Sequence, residues 1–198
     1  CVLVPTSLEA MAMAATTMDG LSVSGRRDVV SLNPMVSLVV NDLDLVMAAP
    51  FDRNAVGIAR LLAAALAESR RSWETFGSKI SGFLAGEEIA YIDVLGMAQT
   101  AWSGVIKASN PSSRKAFNYG MFSARALRAC LGDSVPWQVL VAEGMRFEAR
   151  LAHDACGLDL DVVFEQDDRL ADLGFEAVGF SLAPENFIDA LKREAYRT

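Results

Sequence analysis

The sequence predicts a predominantly helical α+β protein, with an antiparallel helical core over approximately residues 55–156 and a small sheet drawn from the chain ends. Three observations lead there. Through the middle of the chain, apolar residues recur at helical spacing between successive cap signals. On both flanks of that block the pattern changes to period-two alternation. The composition, 52% hydrophobic against 22% charged with a mean hydropathy of +0.26, supplies a packed core and excludes a disordered chain. At 198 residues, one domain spanning 1–198 is the expected organisation.

The chain begins at Cys1 rather than methionine, which fits a processed terminus, a fragment or a sequence with a segment missing. Val2-Leu3-Val4 reads as a short strand. Thr6-Ser7-Leu8-Glu9 has the form of a capping box, with Thr6 as cap and Glu9 reaching back. The helix that follows presents Leu8, Met11, Ala15 and Met18 on one face. Val23 and Val29-Val30 are further strand fragments. Met35 to Met47 alternates in hydrophobicity with a change of parity at Asn41-Asp42, which predicts two short strands with Asp42 and Asp44 in water.

From Asn54 the period becomes helical. Ile58, Leu62, Leu66, Trp73, Phe76, Ile80 and Leu84 form a stripe about 40 Å long on a single helix, so a break is expected at Gly77 or Gly82. A second helix opens at Glu87-Glu88 and runs to Lys107, its charges matched to the helix dipole. Its Gly96 and Gly104 predict close approach of a neighbour. Asn110-Pro111 starts a third helix that Gly132 ends, and Ser134 and Pro136 start a fourth that stops before Gly157. Leu158, Leu160, Val162 and Phe164 alternate with Asp159, Asp161 and Val163, the pattern of a half-buried strand. Residues 175–180 read as another strand, and Pro184 opens a terminal helix.

Charge and chemistry narrow the functional classes without selecting one. The net charge is −7, with a basic middle and an acidic C-terminal third, complementary surfaces for assembly. No apolar run is long enough to cross a bilayer, so no transmembrane segment is expected. The three cysteines have no framework spacing, which favours a soluble, cytoplasmic protein. Neither GxGxxG after a strand, GxxxxGK[ST], HExxH nor GxSxG occurs.

The residues that remain are few. Cys1 could serve as an N-terminal nucleophile on amides, its own amine acting as base. Arg114, Lys115, Arg125 and Arg128, interleaved with Phe117, Tyr119 and Phe122, form a basic surface suited to an acidic partner or to phosphate, with nucleic acid disfavoured by the net charge. His153-x-x-Cys156-x-x-Asp159 lacks a converging ligand set and sits beside Arg146 and Arg150, so no metal site is assigned. Asp159 and Asp161 on a strand would lie about 6.6 Å apart on its wet face. The sequence therefore favours a non-catalytic structural or protein-interaction protein, a homo-oligomer or part of a complex. The alternatives are an enzyme using Cys1 and a helical binder of a small molecule or pigment. No cofactor is assigned.

Overall fold

A computed structural model describes residues 1–14, 19–23, 26–32 and 36–195. The chain is predominantly helical with a small strand component. Strand β1 (Val2–Leu3) pairs in parallel with β4 (Leu38–Val39), Val2 facing Leu38 and Leu3 facing Val39. Between them lie helix α1 (Leu8–Met13) and the antiparallel pair β2 (Asp19–Val23) and β3 (Arg26–Leu32). Helices α2 (Leu43–Met47), α3 (Phe51–Glu68), α4 (Arg70–Leu84) and α5 (Glu88–Lys107) follow. A 3₁₀ segment (Pro111–Asn118) leads into α6 (Met121–Leu131), and after a 3₁₀ turn at Gly132–Ser134 come α7 (Trp137–Cys156), α8 (Leu160–Asp172) and α9 (Pro184–Ala195).

Helix α3 is the axis of the core. Its residues 57–65 are all buried, so the helix is enclosed on every side, as an apolar helix must be. It packs against α1, α4, α5 and α7. Gly57 permits the approach of α1: a Cβ there would collide with the backbone of Leu8 and Glu9. A connected cluster of buried apolar side chains extends from Leu8 on α1 through Trp73 and Trp102 to Leu170 and Phe175.

The α6–α7 contact is closer still. Gly120 has φ of 76° and opens α6 in the left-handed region that favours glycine. A Cβ on Gly144 of α7 would strike the Gly120 carbonyl oxygen and approach Ala124 N to 2.9 Å, while one on Gly120 would strike Met145. Two glycines thus let the two backbones touch.

Several sequence expectations need correction. The C-terminal flank contributes no strand among the described residues: 158–164 is the start of α8, and 175–180 has no regular structure. Asp159 caps that helix by accepting from Asp161 N at 3.0 Å, and Val163, Gln166 and Leu170 face inward at helical spacing, leaving Phe164 55% exposed. The alternation was a by-product of a cap followed by an amphipathic turn. The same happens at Asp42, which accepts from Asp44 N at 3.1 Å and starts α2 where a second strand was expected. The cap of α1 is Ser7, accepting from Ala10 N at 3.2 Å, rather than Thr6; Ala15 and Met18 lie outside the described residues.

The long middle stripe breaks at Ser69, which is extended and whose Oγ accepts from Ser72 N at 3.1 Å. Gly77 and Gly82 stay helical. The helix expected from Pro111 to Gly132 divides at Gly120 into a 3₁₀ segment and α6. Nothing lies within 4 Å of a Cβ placed on Gly96 or Gly104, so neither marks a close contact.

These glycines give a paired prediction. Gly144→Ala is expected to cost about 3 kcal/mol, the upper part of the range for overpacking a rigid site. Gly96→Ala should stabilise by about 1 kcal/mol through helix propensity alone. Urea unfolding of both variants checks this, and a neutral Gly144→Ala would contradict the described approach.

Candidate functional site

Three buried polar residues, Arg60 on α3, Ser123 on α6 and Gln166 on α8, have partners in or next to the 3₁₀ segment and the start of α6. Arg60 is on α3 among leucines and alanines and is only 8% exposed. Its Nε lies 3.5 Å from Glu9 Oε1, and its Nη1 donates to the Phe117 carbonyl of the 3₁₀ segment. The Gly57 contact is what brings Glu9 there: it seats the first turn of α1 on α3 one turn before Arg60. Burial lowers the Arg60 pKa from its ordinary value; Glu9 opposes that shift, and nearby Arg125 adds to it by repulsion.

Arg125, on α6, has a buried Nε with no hydrogen-bond partner. Trp102, on α5, is fully buried, packs on Phe117 at a ring separation of 4.8 Å, and also has an Nε1–H without a partner. Buried donors are nearly always satisfied in native proteins, and leaving one unmade costs about 1–3 kcal/mol. Two buried donors without partners thus lie on α5 and α6, the helices that precede and follow the 3₁₀ segment, and Arg125 is near enough to Arg60 to act on it by repulsion.

Glu148 of α7 supports this corner. The N-cap of α6 is Gly120, which has no side chain to offer. Glu148 supplies the missing acceptor from the neighbouring helix: Oε2 accepts from Gly120 N at 2.8 Å, and Oε1 from Ser123 N at 3.0 Å and Ser123 Oγ at 2.8 Å. Burial raises the Glu148 pKa even though all three hydrogen bonds pull it down. Next to it the Tyr119 hydroxyl donates to Gln166 Oε1 at 2.6 Å, and Gln166 Nε2 donates to the Met145 carbonyl at 3.1 Å. Burial, together with the charge of Glu148, pushes the Tyr119 phenol up, so it stays protonated as a donor.

The structure distributes the residues expected from sequence unevenly. Arg125 enters the corner, and Lys115 is exposed on the 3₁₀ segment beside it. Arg114 belongs to that segment, its side chain outside the described part. Arg128 turns away, donating to Asp133 Oδ1 at 2.5 Å and the Gly132 carbonyl at 3.0 Å, with its guanidinium 5.7 Å from the Trp137 ring centre. Cys1 is exposed, and its carbonyl accepts from Ser37 N at the start of the β1–β4 pairing. His153 Nδ1 lies 2.7 Å from the Leu158 carbonyl, and Asp159 is a helix cap. Among the described residues no three of His, Cys, Asp and Glu converge on a metal position, and no helix is long and apolar enough to cross a membrane.

Sequence reasoning missed Arg60, Glu148 and Trp102. Arg60 had a visible signal, an arginine on the apolar stripe of the most hydrophobic stretch. Glu148 had none, because its partner is a glycine cap on another helix.

No family model matches the sequence, and no curated protein matches it. The fold does have relatives. It is similar to 2-epi-5-epi-valiolone synthase ValA from Streptomyces hygroscopicus subsp. jinggangensis 5008, a structure with NAD+ and Zn2+ bound, with a TM-score of 0.78 and 16% identity over 99% of this chain. It is also similar to 2-deoxy-scyllo-inosose synthase complexed with carbaglucose-6-phosphate, NAD+ and Co2+, with a TM-score of 0.70 and 13% identity over 96% of the chain. This chain spans 56% and 53% of those two chains. The likeness overturns the expectation of a non-catalytic structural protein: the helical architecture that looked like a scaffold is one that catalytic proteins carry. Helical periodicity reports burial and is blind to that distinction.

Glu148 gives a pH prediction. Its folded pKa lies above its unfolded value, so its protonation contributes stability that is complete below the unfolded value and is lost as pH rises through the folded one. Glu148→Gln leaves an N–H of Gly120 or Ser123 without an acceptor and is expected to cost about 1–3 kcal/mol at neutral pH. The gap to the native protein should widen as pH is lowered toward the carboxylate range. Denaturation midpoints of both proteins across pH measure it, and a gap that narrows would contradict the assignment.

Proposed function

We propose that the chain takes part in enzymatic cyclisation of a phosphorylated sugar, with Arg60 and Arg125 holding the phosphate group. The observation that carries this reading is the Arg125 Nε, buried without an acceptor beside a second buried guanidinium. Guanidinium groups suit this role because they present fixed, charged donors to phosphate oxygens. The fold likeness to synthases, one of them in complex with carbaglucose-6-phosphate, supports the substrate class.

In this reading Trp102 Nε1–H adds a neutral donor, Lys115 attracts the anion at the surface, and Glu148 fixes the position of α6 and so of Arg125. Glu9 partly neutralises Arg60 while the site is empty. Phosphate would face two guanidiniums in a region shielded from water, where charge-assisted hydrogen bonds are about twice as strong as neutral ones.

Neither bound group of the similar structures finds a cradle in the described residues. Zn2+ and Co2+ require several convergent nitrogen, sulfur or oxygen ligands, and no such group is present among them. NAD+ is commonly held on a glycine-rich turn between a strand and a helix; the turn after β1 is Val4-Pro5-Thr6-Ser7 and that after β4 is Val40-Asn41-Asp42, and neither contains a glycine. Reaction steps through either group are therefore not assigned to these residues. Association with a second copy or another polypeptide in a cytoplasmic setting belongs to the same proposal. Leu84, Ile89 and Ile92 expose apolar surface at the α4–α5 turn, and no disulfide joins the three cysteines.

Thermal unfolding with carbaglucose-6-phosphate tests the site. At a ligand concentration about a hundredfold above Kd the midpoint should rise by roughly 5–10 °C. Arg125→Gln should remove most of that rise, and Arg128→Gln should leave it intact. Equal shifts in all three proteins would sink the assignment.

A further inference from the structure

We infer that this chain binds its anion with arginines and that its described residues hold no resident divalent cation, unlike the Zn2+- and Co2+-bound structures whose fold it shares. The inference rests on the functional reading above and adds to it the means of charge neutralisation.

The argument begins with the donors. The sequence has one histidine and three cysteines. His153 sits in the last turn of α7 with its Nδ1 against the Leu158 carbonyl, leaving a single ring nitrogen for any other partner. Cys156 is exposed, and Cys130 Sγ lies 3.5 Å from the Asn186 carbonyl. Zinc and cobalt sites are built from three or four such side chains converging at about 2.0–2.3 Å, and no trio of His, Cys, Asp and Glu does so among the described residues.

The carboxylates near the polar corner are already engaged. Glu148 accepts three hydrogen bonds from the start of α6. Glu143 takes Arg146 at 2.7 Å and Val178 N at 3.1 Å. Asp167 takes Arg150 at 2.6 Å and lies 3.7 Å from Arg146. Glu9 faces Arg60. A metal recruiting any of them would strand a buried guanidinium or a helix N-terminus.

The remaining charge has the wrong sign for a cation. Arg60 and Arg125 are close enough to repel each other, and Arg60 is paired only with the more exposed Glu9, 3.5 Å away. Like charges in a region of low dielectric repel strongly, so a divalent ion is disfavoured where a phosphate is welcome. Two guanidiniums deliver positive charge to an oxyanion through donors of fixed geometry, without a coordinated ion.

The experiment uses the purified full chain. Metal content is measured by elemental analysis, Zn2+ and Co2+ are titrated by calorimetry, and inorganic phosphate is titrated with and without EDTA. The expected result is metal well below one equivalent, no saturable uptake of either ion, and phosphate affinity unchanged by chelator but reduced about tenfold or more in Arg60→Gln and Arg125→Gln. One-to-one uptake of Zn2+ or Co2+, or phosphate binding that disappears with EDTA, would overturn the inference while leaving the substrate class intact. Failure of phosphate to bind under any condition would remove the functional reading, and the exclusion of the cation would then stand or fall on the metal titration.

Discussion

The contact between Gly120 and Gly144 is the constraint on which the polar corner depends. Because neither residue carries a Cβ, the first turn of α6 lies directly against the backbone of α7. That proximity puts Glu148 one turn further along α7 within reach of the exposed N–H groups of α6, where it replaces the side-chain cap that glycine cannot provide. The same registration brings Tyr119 to Gln166 and the Met145 carbonyl. Sterics set the distance, and electrostatics then fix the angle: an anion at a helix N-terminus meets both orphan donors and the favourable end of the dipole.

A comparable arrangement operates on the other side of α3. Gly57 admits α1, and α1 carries the carboxylate that makes a buried arginine tolerable. Placing a guanidinium among Leu61, Leu62 and Ala64 without a partner would cost far more than the fold could offset. Arg60 manages through a carboxylate and a backbone carbonyl drawn from two different segments. Its burial therefore ties together three parts of the chain that are distant in sequence, residues 9, 60 and 117. Its neighbour Arg125 differs in leaving a buried Nε without a hydrogen-bond partner.

How much of this was legible in the sequence depended on whether the deciding interaction was local. The ends of α6 and α7 were, because Gly132 and Gly157 stop helices by a backbone conformation that glycine alone takes easily. The start of α9 at Pro184 was legible for the same kind of reason. The alternating runs at 43–47 and 158–164 were not. In both, a cap aspartate followed by a short amphipathic turn imitates a strand over a few residues, and only packing of Val46 or Val163 against the core decides. Of the polar corner, the sequence named Arg125 together with Arg128 as one basic surface, but the separation of the two depends on Asp133 and Trp137, which lie beyond the end of α6. Glu148 and Glu9 matter through partners 28 and 51 residues away, a relation that no local pattern encodes.

Arg169 shows a further effect of such long-range pairing. Its guanidinium lies 3.7 Å from the centre of the Trp73 ring and 2.6 Å from where a Cβ on Gly77 would be, donating to the Trp73 carbonyl, while Glu165 accepts from the Trp73 indole at 2.5 Å. Trp73 is held on its face by a cation and at its edge by an anion, both from α8. The indole of Trp102 has no polar partner, and that of Trp137 lies near Arg128. The three tryptophans of the chain therefore occupy three different electrostatic environments, and replacing Trp102 and Trp137 by phenylalanine would leave an indole that reports on the seam between α4 and α8 alone.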